Sequence, residues 1–137
     1  MLTLVGMNEK GIAVGTTNLK TWHSQVGVGY LSVLHKAVSQ STLDQANDVL
    51  QNASVAGAHS YWLASKDGGI EWERSPRFAF KRDTQDGAIT RSNHCLFEPH
   101  QKSEGVLPNE SSLSRFARAT TLLESKDQSI DSMKVIF

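Results

Sequence analysis

The chain has 137 residues, inside the usual size range of one domain, so a single hydrophobic core is expected. Its 39% hydrophobic and 20% charged residues exclude a disordered tail, and 14 basic against 14 acidic residues leave no net field to draw it to nucleic acid or a membrane surface. The one cysteine, Cys95, excludes an internal disulfide and a Cys-rich zinc site and fits a reducing, cytosolic compartment.

The first residues lack the basic lead and long apolar stretch of a signal peptide, and no run approaches the ~20 apolar residues of a membrane helix, so a soluble protein is expected. Residues 2–7 and 12–17 are apolar runs around the turn Asn8-Glu9-Lys10-Gly11, which predicts a hairpin. Tyr30, Leu31, Leu34 and Val38 recur at helical spacing. A second helix follows, with Thr42 and Gln45 placed for a capping box and Leu43, Ala46, Val49, Leu50 and Ala53 as its apolar stripe. Strand signals return at 59–64, 70–73, 78–81 and 88–92, separated by Lys66-Asp67-Gly68-Gly69 and Asp86-Gly87, an antiparallel meander. Residues 98–108 are polar, hold Pro99, Gly105 and Pro108, and predict a surface loop. Leu113, Phe116, Thr120 and Leu123 mark a third helix with Arg115 and Arg118 on its solvated side. Ser129 caps a fourth, holding Ile130, Met133 and Ile136.

Strands, two helices, strands and two helices predict an α+β layered domain, helices packed on antiparallel sheet, over residues 1–137. An apolar strand and an apolar helix run into the two chain ends, so we expect a domain truncated at both ends relative to its full form.

Five short segments resemble, in order and approximate spacing, the isopenicillin N acyltransferase family, whose members have the four-layer αββα fold of N-terminal-nucleophile hydrolases. They are Gly6-Met7-Asn8-Glu9-Lys10-Gly11-Ile12-Ala13-Val14 with Asn18 after it, Gly27-Val28 before a helix, and Ala58-His59-Ser60-Tyr61-Trp62-Leu63-Ala64. The last two are Ile70-Glu71-Trp72-Glu73-Arg74-Ser75-Pro76 and Thr90-Arg91-Ser92-Asn93-His94. The resemblance implies a linear-amide hydrolase or acyltransferase whose cysteine nucleophile, freed by self-cleavage after glycine, uses its own α-amino group as base. By the same resemblance that cysteine and an acidic residue shortly after it precede Met1, and an arginine follows Phe137. Asn93 corresponds to the family residue whose side-chain amide donates to the oxyanion, a task suited to a neutral donor with no competing protonation. Ser75 falls loosely near a family serine linked to processing and catalysis.

Plainer roles compete at several positions. Asn93 alone would be a strand-end residue bonding its own backbone. As strand neighbours, His94 and Cys95 would point to opposite faces, which denies them a thiol–imidazole pair. His94, Cys95, Glu98 and His100 match no standard zinc spacing; no metal and no cofactor are expected. The Gly15-Thr16 bond could suit a threonine nucleophile, yet it ends the second strand of the hairpin rather than opening the first strand of the fold. Trp62 with Trp72, and Phe78 with Phe80, are expected on sheet faces packed under helices. His35 is expected to be solvated. The leading expectation is a fragment of an amide hydrolase or acyltransferase acting on a small-molecule amide or acyl thioester, acyl-CoA being one candidate donor. Its rival is a non-catalytic or split-gene module that keeps the fold as a binding or assembly partner. Self-association, or completion by a missing segment, follows from either.

Overall fold

A computed structural model describes residues 4–124. Its centre is a five-stranded antiparallel sheet in the order β1-β2-β3-β4-β5. The strands are β1 Val5–Met7, β2 Ala13–Asn18, β3 His59–Ser65, β4 Gly68–Arg74 and β5 Ala79–Asp83. Between β2 and β3 come α1, Tyr30–Val38, and α2, Leu43–Asn52. Beyond β5 lie a short helix, α3 Glu98–Gln101, and α4, Glu110–Glu124. The helix expected around Ile130, Met133 and Ile136 lies outside the described residues. No described helix is long and apolar enough to cross a membrane.

The β1–β2 hairpin turns on Gly11, at φ 78°, a left-handed conformation that favours glycine. Asn8 secures the turn. Its Oδ1 accepts from the backbone N–H groups of Lys10 and Ile12, and its Nδ2 donates to the carbonyls of Val38 and Gln40, each at 2.7 Å. One amide thus joins the hairpin to the end of α1. Thr42 caps α2 as expected, accepting from the Gln45 N–H at 3.2 Å, while the Gln45 side chain returns to the Ser41 N–H rather than to Thr42. Arg74, at the end of β4, donates to the carbonyls of Leu50 and Gln51 and so closes the C-terminus of α2.

Period-two alternation divides the sheet into two unlike faces. Val14, Tyr61, Leu63, Ile70 and Trp72 pack against Val33, Leu34 and Ala37 of α1 and Ala46 and Leu50 of α2, forming the apolar core. Ser60, Glu71 and Glu73 are buried on the other face. The register sets Trp62 opposite Glu71 and Tyr61 opposite Trp72, so the two tryptophans lie on different faces and only Trp72 sits under a helix, donating from Nε1 to Asn47 Oδ1 at 2.9 Å. The Trp62 ring covers Gly15, where a Cβ would come within 2.1 Å of it. Phe80, paired with Glu73, stacks on Phe97 at 4.6 Å away from α1 and α2. Phe78 lies outside β5 and is partly exposed, edge-on to His23 and His100.

Two further expectations fail. Residues 88–92 form no strand. Instead the segment crosses the polar face of the sheet, because Arg82 donates to the Thr90 carbonyl and the Arg91 guanidinium reaches Glu71 and Glu73. Residues 98–101 form α3 rather than loop, with Pro99 in its first turn and His100 turned inward against Glu73 and Ser75.

Candidate active site

The polar face supports the site through one buried ion network. Glu71, 1% exposed, accepts from Ser60 Oγ at 2.6 Å and pairs with Arg82 at 2.8 Å and Arg91 at 2.5 Å. Glu73, fully buried, pairs with Arg91 at 2.7 Å and accepts from the N–H groups of Leu96 and Phe97 and from His100 Nδ1. Burial pushes the Glu73 carboxyl up, but the His100 bond, the two N–H donors and Arg91 outweigh it and hold the group at about 2. Buried charge is tolerated when it is paired and hydrogen-bonded, as both carboxylates are here; Arg91 Nη2 is ion-paired with Glu71 without hydrogen-bond geometry. Arg91 also donates to the His94 carbonyl at 3.0 Å. The segment that carries Asn93 is therefore tied to the sheet on both sides of Asn93.

Asn93 is exposed, at the edge of a cleft of about 240 Å³ lined by Asn18, Lys20, Glu104 and residues 106–109. Its backbone N–H donates to Ser112 Oγ at 2.9 Å, and its Oδ1 accepts from Arg115 Nη2 at 3.1 Å. Its Nδ2 makes a long, 3.4 Å bond to the Asn18 carbonyl. Arg115 can only donate and a carbonyl can only accept, so both neighbours select the same orientation of the amide. Oδ1 faces Arg115 of α4 and Nδ2 faces Asn18 at the end of β2, a residue that also lines the cleft. Chemically this is a neutral, directed donor at an open surface, held from behind.

His94 and Cys95 turn away from the cleft and from each other. His94 Nδ1 is hydrogen-bonded to Ser112 Oγ at 2.8 Å, and burial is the main reason its pKa is lowered. Cys95 packs with Leu19 and Ala58, and burial, then Glu104 and Glu73, pushes its thiol well above the usual range, the opposite of an activated nucleophile. Thr16 donates its hydroxyl to the Ser60 carbonyl at 2.8 Å, in a strand paired on both sides.

Ser75 belongs to a different cluster from Asn93. It is 1% exposed, its Oγ accepts from the N–H groups of Arg77 and Phe78, and it is 3.0 Å from His100 Nε2. Glu73, His100 and Ser75 thus form a continuous hydrogen-bonded row beneath the surface.

Sequence reasoning missed Glu71, Glu73, Arg91 and Ser112 as parts of the site; Arg115 is exposed as expected, but its bond to Asn93 was not foreseen. The alternation Ile70-Glu71-Trp72-Glu73 was the available signal, since it places two carboxylates on the face opposite two large apolar groups. Ser112 and Arg115 stand three residues apart, one turn on a helix, a spacing that signals a shared face but not what that face touches.

The sequence matches the acyl-coenzyme A:6-aminopenicillanic acid acyl-transferase family over residues 3–136. No curated protein matches the sequence. Among solved structures, penicillin V acylase from Agrobacterium tumefaciens superposes with a TM-score of 0.65 at 17% identity, covering 98% of this chain and 50% of that one. A variant of conjugated bile acid hydrolase from Clostridium perfringens superposes with a TM-score of 0.59 at 16% identity, covering 90% of this chain and 52% of that one. The chain spans about half the length of these structures, and the likeness to them is one of fold: the antiparallel sheet with flanking helices expected for an N-terminal-nucleophile hydrolase.

Proposed function

The chain belongs to the acyl-coenzyme A:6-aminopenicillanic acid acyl-transferase family, and from that premise we propose that it supplies the oxyanion-binding part of a cysteine N-terminal-nucleophile hydrolase or acyltransferase. The substrate class is a small-molecule linear amide or acyl thioester, with acyl-CoA as one donor, in a cytosolic setting. The nucleophile is a cysteine that precedes these residues. Its thiol proton passes to its own α-amino group as sulfur bonds to the acyl carbon, and the carbonyl π pair moves onto oxygen. Asn93 Nδ2 donates to that oxyanion, and when the tetrahedral species collapses the leaving amine takes the proton from the α-ammonium. An acyl thioester remains, from which water removes the acyl group in a hydrolase and an amine removes it in an acyltransferase.

The observation that supports this reading is the Asn93 amide itself, exposed at the lining of a cleft with its carbonyl oxygen occupied by Arg115 and its nitrogen held only by a long bond to the Asn18 carbonyl, which leaves a second N–H to donate. A donor fixed before the reaction stabilises developing charge without reorganising during it. Ser75 has a supporting part, because its buried hydroxyl closes the turn after β4 and acts through His100 rather than on substrate.

The test is kinetic, in a chain extended upstream through the Gly-Cys bond. Asn93→Ala should lower turnover by about 10² to 10³ with KM little changed, because the amide engages only the transition state. Asn93→Asp should be slower still, its carboxylate repelling the oxyanion. Full turnover in Asn93→Ala would contradict the assignment, and no turnover in the extended parent chain would favour a fold-retaining binding or assembly module.

A further inference from the structure

We propose that Ser112 and Arg115 of α4 are positioning residues that jointly aim the Asn93 amide, an inference that rests on the oxyanion reading above. α4 docks in an unusual way. Among its described residues the buried one is Ser112, while Leu113 is 47% exposed and Phe116 is half-buried, edge-on to His94, so the most deeply buried contact of the helix is a hydroxyl. That hydroxyl has one proton and two lone pairs, a capacity of three hydrogen bonds. All three are used on consecutive residues: Ser92 Oγ at 3.0 Å, the Asn93 N–H at 2.9 Å and His94 Nδ1 at 2.8 Å.

Ser112 is itself held, its N–H donating to Asn109 Oδ1 at 2.7 Å at the start of the helix. One turn later Arg115 donates to Asn93 Oδ1. The backbone of Asn93 is fixed by the first residue and the rotation of its amide by the second. A guanidinium on Oδ1 also draws electron density from the amide, which makes the Nδ2 protons better donors. Arg115 touches no reacting atom in this arrangement, and Ser112 is fully buried, so both act through Asn93.

A double-mutant cycle in the upstream-extended chain tests this. Ser112→Ala and Arg115→Met should each lower kcat, by roughly tenfold and roughly threefold, with KM unchanged, because small misplacement of a transition-state donor costs rate more than binding. On an Asn93→Ala background both should be silent, and Arg115→Lys should recover part of the loss. Arg115 is exposed, so its replacement reads the idea even where Ser112→Ala lowers stability. Equal losses with and without Asn93, or no loss with Asn93 present, would overturn the proposal. An Asn93→Ala enzyme with full turnover would instead overturn the oxyanion assignment and the clamp together.

Discussion

The two faces of the sheet are both buried, but by opposite means. Under α1 and α2 the contacts are mainly apolar and non-directional, the Trp72–Asn47 bond apart, and the Tyr61 hydroxyl has no hydrogen-bond partner there among the described residues, its pKa pushed up to about 12 chiefly by burial. On the other face Glu71 and Glu73 are saturated with donors of fixed direction from Ser60, Arg82, Arg91, His100 and two backbone N–H groups. Apolar packing supplies stability in proportion to area and tolerates small shifts. A charged network supplies little net stability but fails when one member is removed, which suits it to holding a segment in one place. The segment it holds carries Asn93.

Arg91→Met should break this contrast most severely. It removes the cation that two buried carboxylates share, and a loss of about 3 to 5 kcal/mol is expected in denaturant titration. Leu50→Ala, on the helix face, should cost a comparable or smaller amount, about 2 to 5 kcal/mol, through the cavity it opens. The two variants separate in the site. At temperatures where both remain folded, Leu50→Ala should keep the turnover of the extended chain, whereas Arg91→Met should lower it by disturbing the Asn93 segment.

Acid sharpens the comparison without mutation. Glu73 is held at about 2, below its ordinary value of 4.5. A carboxyl with its folded pKa depressed stabilises the fold fully above the unfolded value and loses that contribution as pH falls through the folded one. About 3 kcal/mol should therefore disappear between pH 4.5 and 2, read as a falling urea midpoint. A midpoint flat across that window would show that the folded protein does not hold the Glu73 carboxyl below its ordinary range. Thr42→Ala is the mildest change, removing one side-chain cap far from the polar face, for about 1 kcal/mol and no change in turnover.

The helix face was legible in the sequence because burial there follows period. Leu34, Ala46 and Leu50, and the alternation through β3 and β4, place their own side chains inward whatever the partner is. The polar face was not, because its residues make sense only in pairs distant in the chain. Residues 88–92 have the β-branched look of a strand, yet Arg91 finds its carboxylates on the sheet's face rather than a ladder at its edge. His100 sits in a stretch too polar for an expected element, and is buried because Glu73 and Ser75 satisfy both its nitrogens. The role proposed for Asn93 came only through the resemblance of its segment to a family; nothing in its local spacing distinguishes it from an asparagine that ends a strand. Its two partners on α4 had no comparable signal.

If Asn93 acts on the reacting carbonyl and not on the fold, single-turnover acylation of the upstream-extended chain, with its unfolding midpoint recorded alongside, separates the two roles. In Asn93→Ala acylation should be slower by about 10² to 10³, with substrate affinity and the unfolding midpoint unchanged. Acylation at the parent rate, or a loss of rate that tracks a loss of folded protein, would contradict it.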